Sequence, residues 1–190
     1  FRPLGVGSAL FQKTCLSHIA KFWNDILVWC DKMSRKKIFI QVSGDEFLNP
    51  AFLKWIKKLC KRAWVVICVG GGTQINEEFA RLGFPVKTHG PMGREMDTFR
   101  ERQVQRDVLE TNQEALQDWL AKENVFAVVE IPVVTIGTVL VPVNGDQMIR
   151  TAYLGFDELY RVTTPERVKE KKKMFADLFP KVKTKVFSRG

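Results

Sequence analysis

Between residues 37 and 187, short β-branched apolar runs alternate with longer stretches whose apolar residues recur every three or four positions. Lys37–Ser43 (KIFIQVS) alternates as a strand does. Pro50 can open a helix at its first turn, and Phe52, Leu53, Trp55, Ile56 and Leu59 give that helix an apolar face. Trp64–Val69 (WVVICV) contains no charged position, as expected of a central parallel strand covered on both faces. Helical spacing follows over Gln74–Leu82. It returns over a polar stretch from about Thr98 to Lys122, where Val104, Val108, Leu109, Leu116 and Leu120 share one side. Gly145–Leu154 predicts a short helix, Glu158–Thr163 a strand, Pro165 to about Leu178 a basic helix and Val182–Phe187 a last strand. Such alternation implies an α/β fold, a three-layer α/β/α sandwich with a mainly parallel central sheet. Ligands of such sheets bind outside the carboxyl ends of the strands. The residues just after each strand are therefore the ones to read for function.

Residues 33–190 are expected to form a single domain, which a chain of 190 residues can supply with one core. Residues 1–32 admit two readings. Met33 precedes Ser34, Arg35, Lys36, Lys37 and then the first strand, a pattern common at the start of proteins that open with a strand, so 1–32 would be an upstream extension. Alternatively, Leu16, Ile19, Ala20, Trp23, Ile26, Leu27 and Cys30 form an apolar stripe at helical spacing and predict an N-terminal helix.

Composition narrows the class. With 45% hydrophobic and 27% charged residues the chain is ordinary for a globular protein, which excludes disorder as its dominant state. Val125–Val143 carries a single charge over nineteen residues, yet Pro132 and Pro142 would break a spanning helix and the β-branched content favours buried strands. No membrane partner and a cytoplasmic location are expected. Cys15, Cys30, Cys60 and Cys68 show no CxxC pair, and with only His18 and His89 available they predict free thiols and no metal site. The net charge of +9 suits a nucleic acid, a membrane surface or a phosphorylated small molecule. A nucleic-acid partner is disfavoured, because no recognition helix, RNP-like string or zinc spacing accompanies the charge. The densest basic run, Lys169 and Lys171–Lys173, reads as a solvated helix face.

Three strand ends carry candidate chemistry. The run Gly70-Gly71-Gly72 lies between a buried strand and a helix, where backbone amides and the helix dipole can hold an anion. Strand one ends in Gln41-Val42-Ser43-Gly44-Asp45, and the apolar stretch ends in Val143-Asn144-Gly145-Asp146. Taken together, GGGTQIN, the Ser-Gly-acidic loop, Ile131-Pro132-Val133 and Asn144-x-Asp146 resemble motifs of the amino acid kinase superfamily, nearest to acetylglutamate kinases and UMP kinases. The likeness spans roughly Lys37 to Thr163, in patches, with a shortened nucleotide-binding half.

The resemblance implies ATP and Mg²⁺ as cofactors, homo-oligomers, and phosphoryl transfer to a small anionic substrate, either an acylated amino acid or a nucleoside monophosphate. It makes Ser43, Gly44, Gly70, Gly71 and Gly72 phosphate-binding. Arg94 and Asn144 would bind substrate, and Asp146 would organise the catalytic cations. Gln41 stands where the family has a phosphate-clamping lysine, and a lysine restored there would be expected to raise activity. Lys181 is the candidate for the family's second lysine, and Thr164 replaces an aspartate. These departures sustain a second expectation: a degenerate kinase-like protein that binds an anion or a partner subunit without turnover.

Overall fold

A computed structural model describes residues 35–87, 90 and 92–188, so both readings of residues 1–32 lie outside the described residues. The described residues from Lys36 onward form one compact unit. Its centre is a five-stranded parallel sheet in the order β3-β2-β1-β6-β7. β1 (Lys36–Val42) pairs with β2 (Ala63–Val69) on one side and β6 (Glu158–Val162) on the other. β3 (Val128–Glu130) and β7 (Val182–Lys185) form the edges. The chain is α/β, with helices on both faces of this sheet.

Strand periodicity divides the core in two. Ile38, Ile40 and Val42 share a face with Val65, Ile67 and Val69 of β2 and with Tyr160 and Val162 of β6. That face is covered by α1 (Pro50–Leu59), through Phe52, Leu53, Ile56 and Leu59, and by Leu116 and Leu120 of α3 (Phe99–Lys122). Each such side chain removed from water contributes about 1.5–3 kcal/mol. The opposite face carries Phe39, Val66, Cys68 and Leu159 beneath Ile149 of α4 (Gly145–Thr151) and Phe175 of α5 (Val168–Ala176). One step further along each strand, that second face ends in Gln41 and Arg161, which are register partners. Both are polar, and both are buried at the carboxyl edge of the sheet.

The remaining helix, α2 (Gly72–Leu82), packs Ile75 and Phe79 against Leu109 of α3. The polar helix α3 starts where a capping box is built: Thr98 accepts from the Glu101 N–H, and the Glu101 carboxylate accepts from the Thr98 N–H.

Two expectations change. Val125–Val143 does not form buried strands throughout. After the short β3, β4 (Val133–Ile136) and β5 (Val139–Pro142) make a separate antiparallel hairpin, with Ile136 and Val139 more than half exposed. Gly137, at φ 59°, turns the chain in the left-handed region after only four paired residues, so the apolar run folds back on itself before it can enter the main sheet. The basic stretch from Pro165 begins as a 3-10 turn (Pro165–Arg167), and α5 itself starts at Val168. Among the described residues no helix is long and apolar enough to cross a membrane.

Candidate functional site

The carboxyl ends of β1, β2 and β6 open into a cavity of about 280 Å³. Its floor is made by two loops that approach each other closely. The Gly70 N–H donates to the Val42 carbonyl at 2.8 Å, and Gln74 Nε2 donates to the Gly44 carbonyl at 2.8 Å. From behind, buried Asn112 of α3 donates to the Gly70 carbonyl at 2.9 Å. α2 begins at this junction with Gly71 as N-cap and no side-chain cap, so its first-turn amides have no side-chain acceptor. A side chain at Gly44 has no room: its Cβ would lie 2.2 Å from Gln74 Oε1 and 2.8 Å from the Gly71 Cα. Gly44→Ala is therefore expected to cost about 1–3 kcal/mol of stability by overpacking. Thermal melts check this; an unchanged melt would mean that the loops have room to part.

Opposite the glycines, the hairpin returns the chain to the sheet. Val143 N–H donates to the Pro132 carbonyl at 2.8 Å, closing the base of β4–β5 and delivering Asn144 to the cavity. Asn144 caps α4, its Oδ1 accepting from the Asp146 N–H at 3.1 Å. The cap fixes Asp146, only 4% exposed, in the cavity wall. Arg161 Nε donates to one carboxylate oxygen at 2.8 Å and Lys171 Nζ to the other at 2.9 Å. Burial pushes the Asp146 carboxyl up, but the charges and hydrogen bonds of Arg161 and Lys171 outweigh it and hold the group below its ordinary value. Burial likewise pulls the Arg161 guanidinium down, opposed by Asp146. Arg161 Nη1 also donates to the Val162 carbonyl at 2.5 Å, which holds the fork against the strand end.

The cavity gathers eight of the ten residues singled out from the sequence: Gln41, Ser43, Gly44, Gly70, Gly71, Gly72, Asn144 and Asp146. Arg94 is not in its lining. It is buried, lies 5.7 Å from the Phe79 ring centroid, and donates to Asn76 Oδ1; Asn76 does face the cavity. The arginine thus meets the cavity through Asn76. Lys181 is elsewhere: its Nζ donates to the Tyr153 and Phe156 carbonyls at 2.6 and 3.2 Å and packs on the Tyr153 ring. A lysine held by two carbonyls ties the 3-10 turn Ala152–Leu154 to the chain before β7 and does not meet Asp146. The second cation beside Asp146 is Lys171, from the run read as a solvated face. Its side chain is only 12% exposed, because Val168, Lys171 and Phe175 share the inward side of α5.

Sequence reasoning also passed over Arg161. Its signal was present, since Arg161 alternates in phase with the buried Leu159. The lining is electrically balanced, with Arg161, Arg167 and Lys171 against Asp45, Asp146 and Glu170. The charges are intermixed: Asp146 bridges Arg161 and Lys171, Lys171 Nζ also donates to Glu170 Oε1 at 3.1 Å, and Asp45 belongs to the loop after β1. Among the described residues no three acidic, histidine or cysteine side chains are placed to hold a metal by themselves. No family model and no curated protein matches the chain.

Proposed function

We propose that this domain binds phosphate groups at the carboxyl edge of its sheet and transfers a phosphoryl group from MgATP to a small carboxylate or a nucleoside monophosphate. One observation carries the reading: a single buried carboxylate, Asp146, holds a guanidinium and an ammonium at the wall of a cavity floored by two glycine loops. Phosphoryl transfer depends mainly on positioning and on fixed positive charge where negative charge spreads. Arg161 and Lys171 would supply that charge, and the Gly71–Gly72 amides would cradle the phosphate oxygens. ATP would bring the transferable phosphoryl group, and Mg²⁺ would bridge its phosphates and relieve their repulsion from Asp45 and Glu170. The resemblance to acetylglutamate and UMP kinases supports the same class.

A second reading, anion binding without turnover, is favoured by two features. Gln41 brings no charge to the end of β1, and a cavity of about 280 Å³ is at the small end for a ligand site, tight for a donor and an acceptor together. Calorimetric titration of the full chain with MgATP tests the proposal. We expect saturable binding that weakens at least about tenfold in Lys171→Met, which forfeits about 1.5–3 kcal/mol of charged hydrogen bond. No heat in a protein shown to be folded would remove the donor site. Binding without product formed from either UMP or acetylglutamate would select the second reading.

A further inference from the structure

The cavity has, besides its cations, a pair of acceptors with nothing to accept. Gln41 is 3% exposed and Gln105, on α3, is 4% exposed; both line the cavity, and Oε1 of each has no hydrogen-bond partner among the described residues. The Gln41 amide is fixed in orientation. Its Nε2 donates to the Val42 carbonyl at 3.2 Å, and turning the amide over would set two acceptor oxygens against each other. It is also clamped from the far side, where a Cβ at Gly145 would fall 2.4 Å from Nε2. The side chain therefore presents a carbonyl oxygen, which repels a phosphate oxygen and attracts an N–H or O–H. Ser43 Oγ, also buried and without a partner among the described residues, can serve either kind of group.

We infer that the ligand of this cavity is an anion whose organic part carries hydroxyl or N–H donors, held by Gln41 and Gln105 while its anionic group meets Arg161 and Lys171. The inference rests on the phosphate-binding reading above and narrows its substrate class. Bare phosphate and simple alkyl phosphates satisfy only the cationic wall. A polar site left with unpaired acceptors discriminates strongly against a ligand that lacks the matching donor, because those acceptors stay buried and unsatisfied.

A matched pair of probes tests this on the full chain. Glycerol 3-phosphate and n-propyl phosphate share a three-carbon skeleton and a phosphate monoester, and differ in two hydroxyls. Calorimetry should give glycerol 3-phosphate at least about tenfold tighter binding than propyl phosphate, the factor expected for one well-placed hydrogen bond. Propyl phosphate should bind about as inorganic phosphate does. In a folded Gln41→Met/Gln105→Met variant the preference of glycerol 3-phosphate over propyl phosphate should vanish. Equal affinity for the two probes in the unaltered protein would overturn the inference, without any reliance on the variant. A preference that survives in the double variant would overturn the assignment to these glutamines. If none of the three phosphates binds, the phosphate-binding reading itself falls and this inference with it.

Discussion

Asp146→Ala should lower stability at neutral pH by about 3–5 kcal/mol, the usual cost of removing one member of a buried ionic cluster. The reason lies in what remains. Arg161 and Lys171 have side chains only 7% and 12% exposed, and both direct a hydrogen bond to this carboxylate. Without it, Lys171 keeps only the exposed Glu170 as a carboxylate partner at 3.1 Å, and the buried Arg161 guanidinium is left facing another cation with little water to screen it. Urea denaturation of wild type, Asp146→Ala and the surface control Asp177→Ala measures the loss. Added phosphate should restore part of it in Asp146→Ala, because an anion that binds the folded state can take the place of the carboxylate. The pH dependence has a definite sign. The folded Asp146 carboxyl is held below its ordinary value of 3.8, so its contribution is fully present above that value. It is lost as the pH falls through the lower folded value. Asp146→Ala should thus be no less stable than wild type in strong acid. Equal stability of the two proteins at pH 7 would mean that the cluster contributes nothing to the fold.

How much of this was legible beforehand depended on which physical signal carried it. The parallel sheet was readable because fully apolar runs such as that of β2 have few other uses, and because strand and helix periods alternate cleanly along the chain. The first helix start was readable from Pro50; the caps that the structure adds, Asn49 accepting from the Ala51 N–H and Thr98 boxed with Glu101, are just as local but were not read. The hairpin was misread because a β-branched run looks the same in a buried strand and in an exposed ribbon. Only Gly137 marked the turn, and one glycine in nineteen residues is a faint mark.

The site divides along the same line. Its backbone half, the glycine loops and the Asn144–Asp146 turn, is written in contiguous residues and could be read as strings. Its cationic half is not contiguous. Arg161 and Lys171 lie 15 and 25 residues beyond Asp146, on a strand and a helix that meet only when the sheet is wound. Their periodic phase could have flagged them, since each stands where an apolar residue is expected. Lys181 answers to the family's order of motifs alone, and order along the chain carries no information about which lysine reaches a carboxylate.

Gln41→Lys is the change that separates the family pattern from the geometry of this chain. By resemblance, a lysine restored at the end of β1 should strengthen the phosphate clamp. The register argues otherwise. Gln41 sits directly beside Arg161 across the β1–β6 pair, and both are buried on the same side of the sheet. In this chain the buried positive charge stands one strand over, at Arg161, and a second one at position 41 would lie directly beside it, with both oxygens of Asp146 already engaged. Gln41→Lys alone should therefore lower stability, by at least about 1–3 kcal/mol for a charge buried beside the Arg161 guanidinium, and should not raise phosphate affinity or turnover. Arg161→Gln alone should weaken phosphate binding at least about tenfold, the loss of one charged hydrogen bond. Combined, the two substitutions exchange the charge between register partners, and the double variant should recover much of what each single one loses. A double-mutant cycle in urea stability and in phosphate affinity reads this as a coupling of about 0.5–3 kcal/mol. Additive losses would show that Arg161 does not stand in for the missing lysine. A gain in affinity from Gln41→Lys alone would show that the cavity accommodates both cations, and the clamp would then have to be redrawn with β1 as its source.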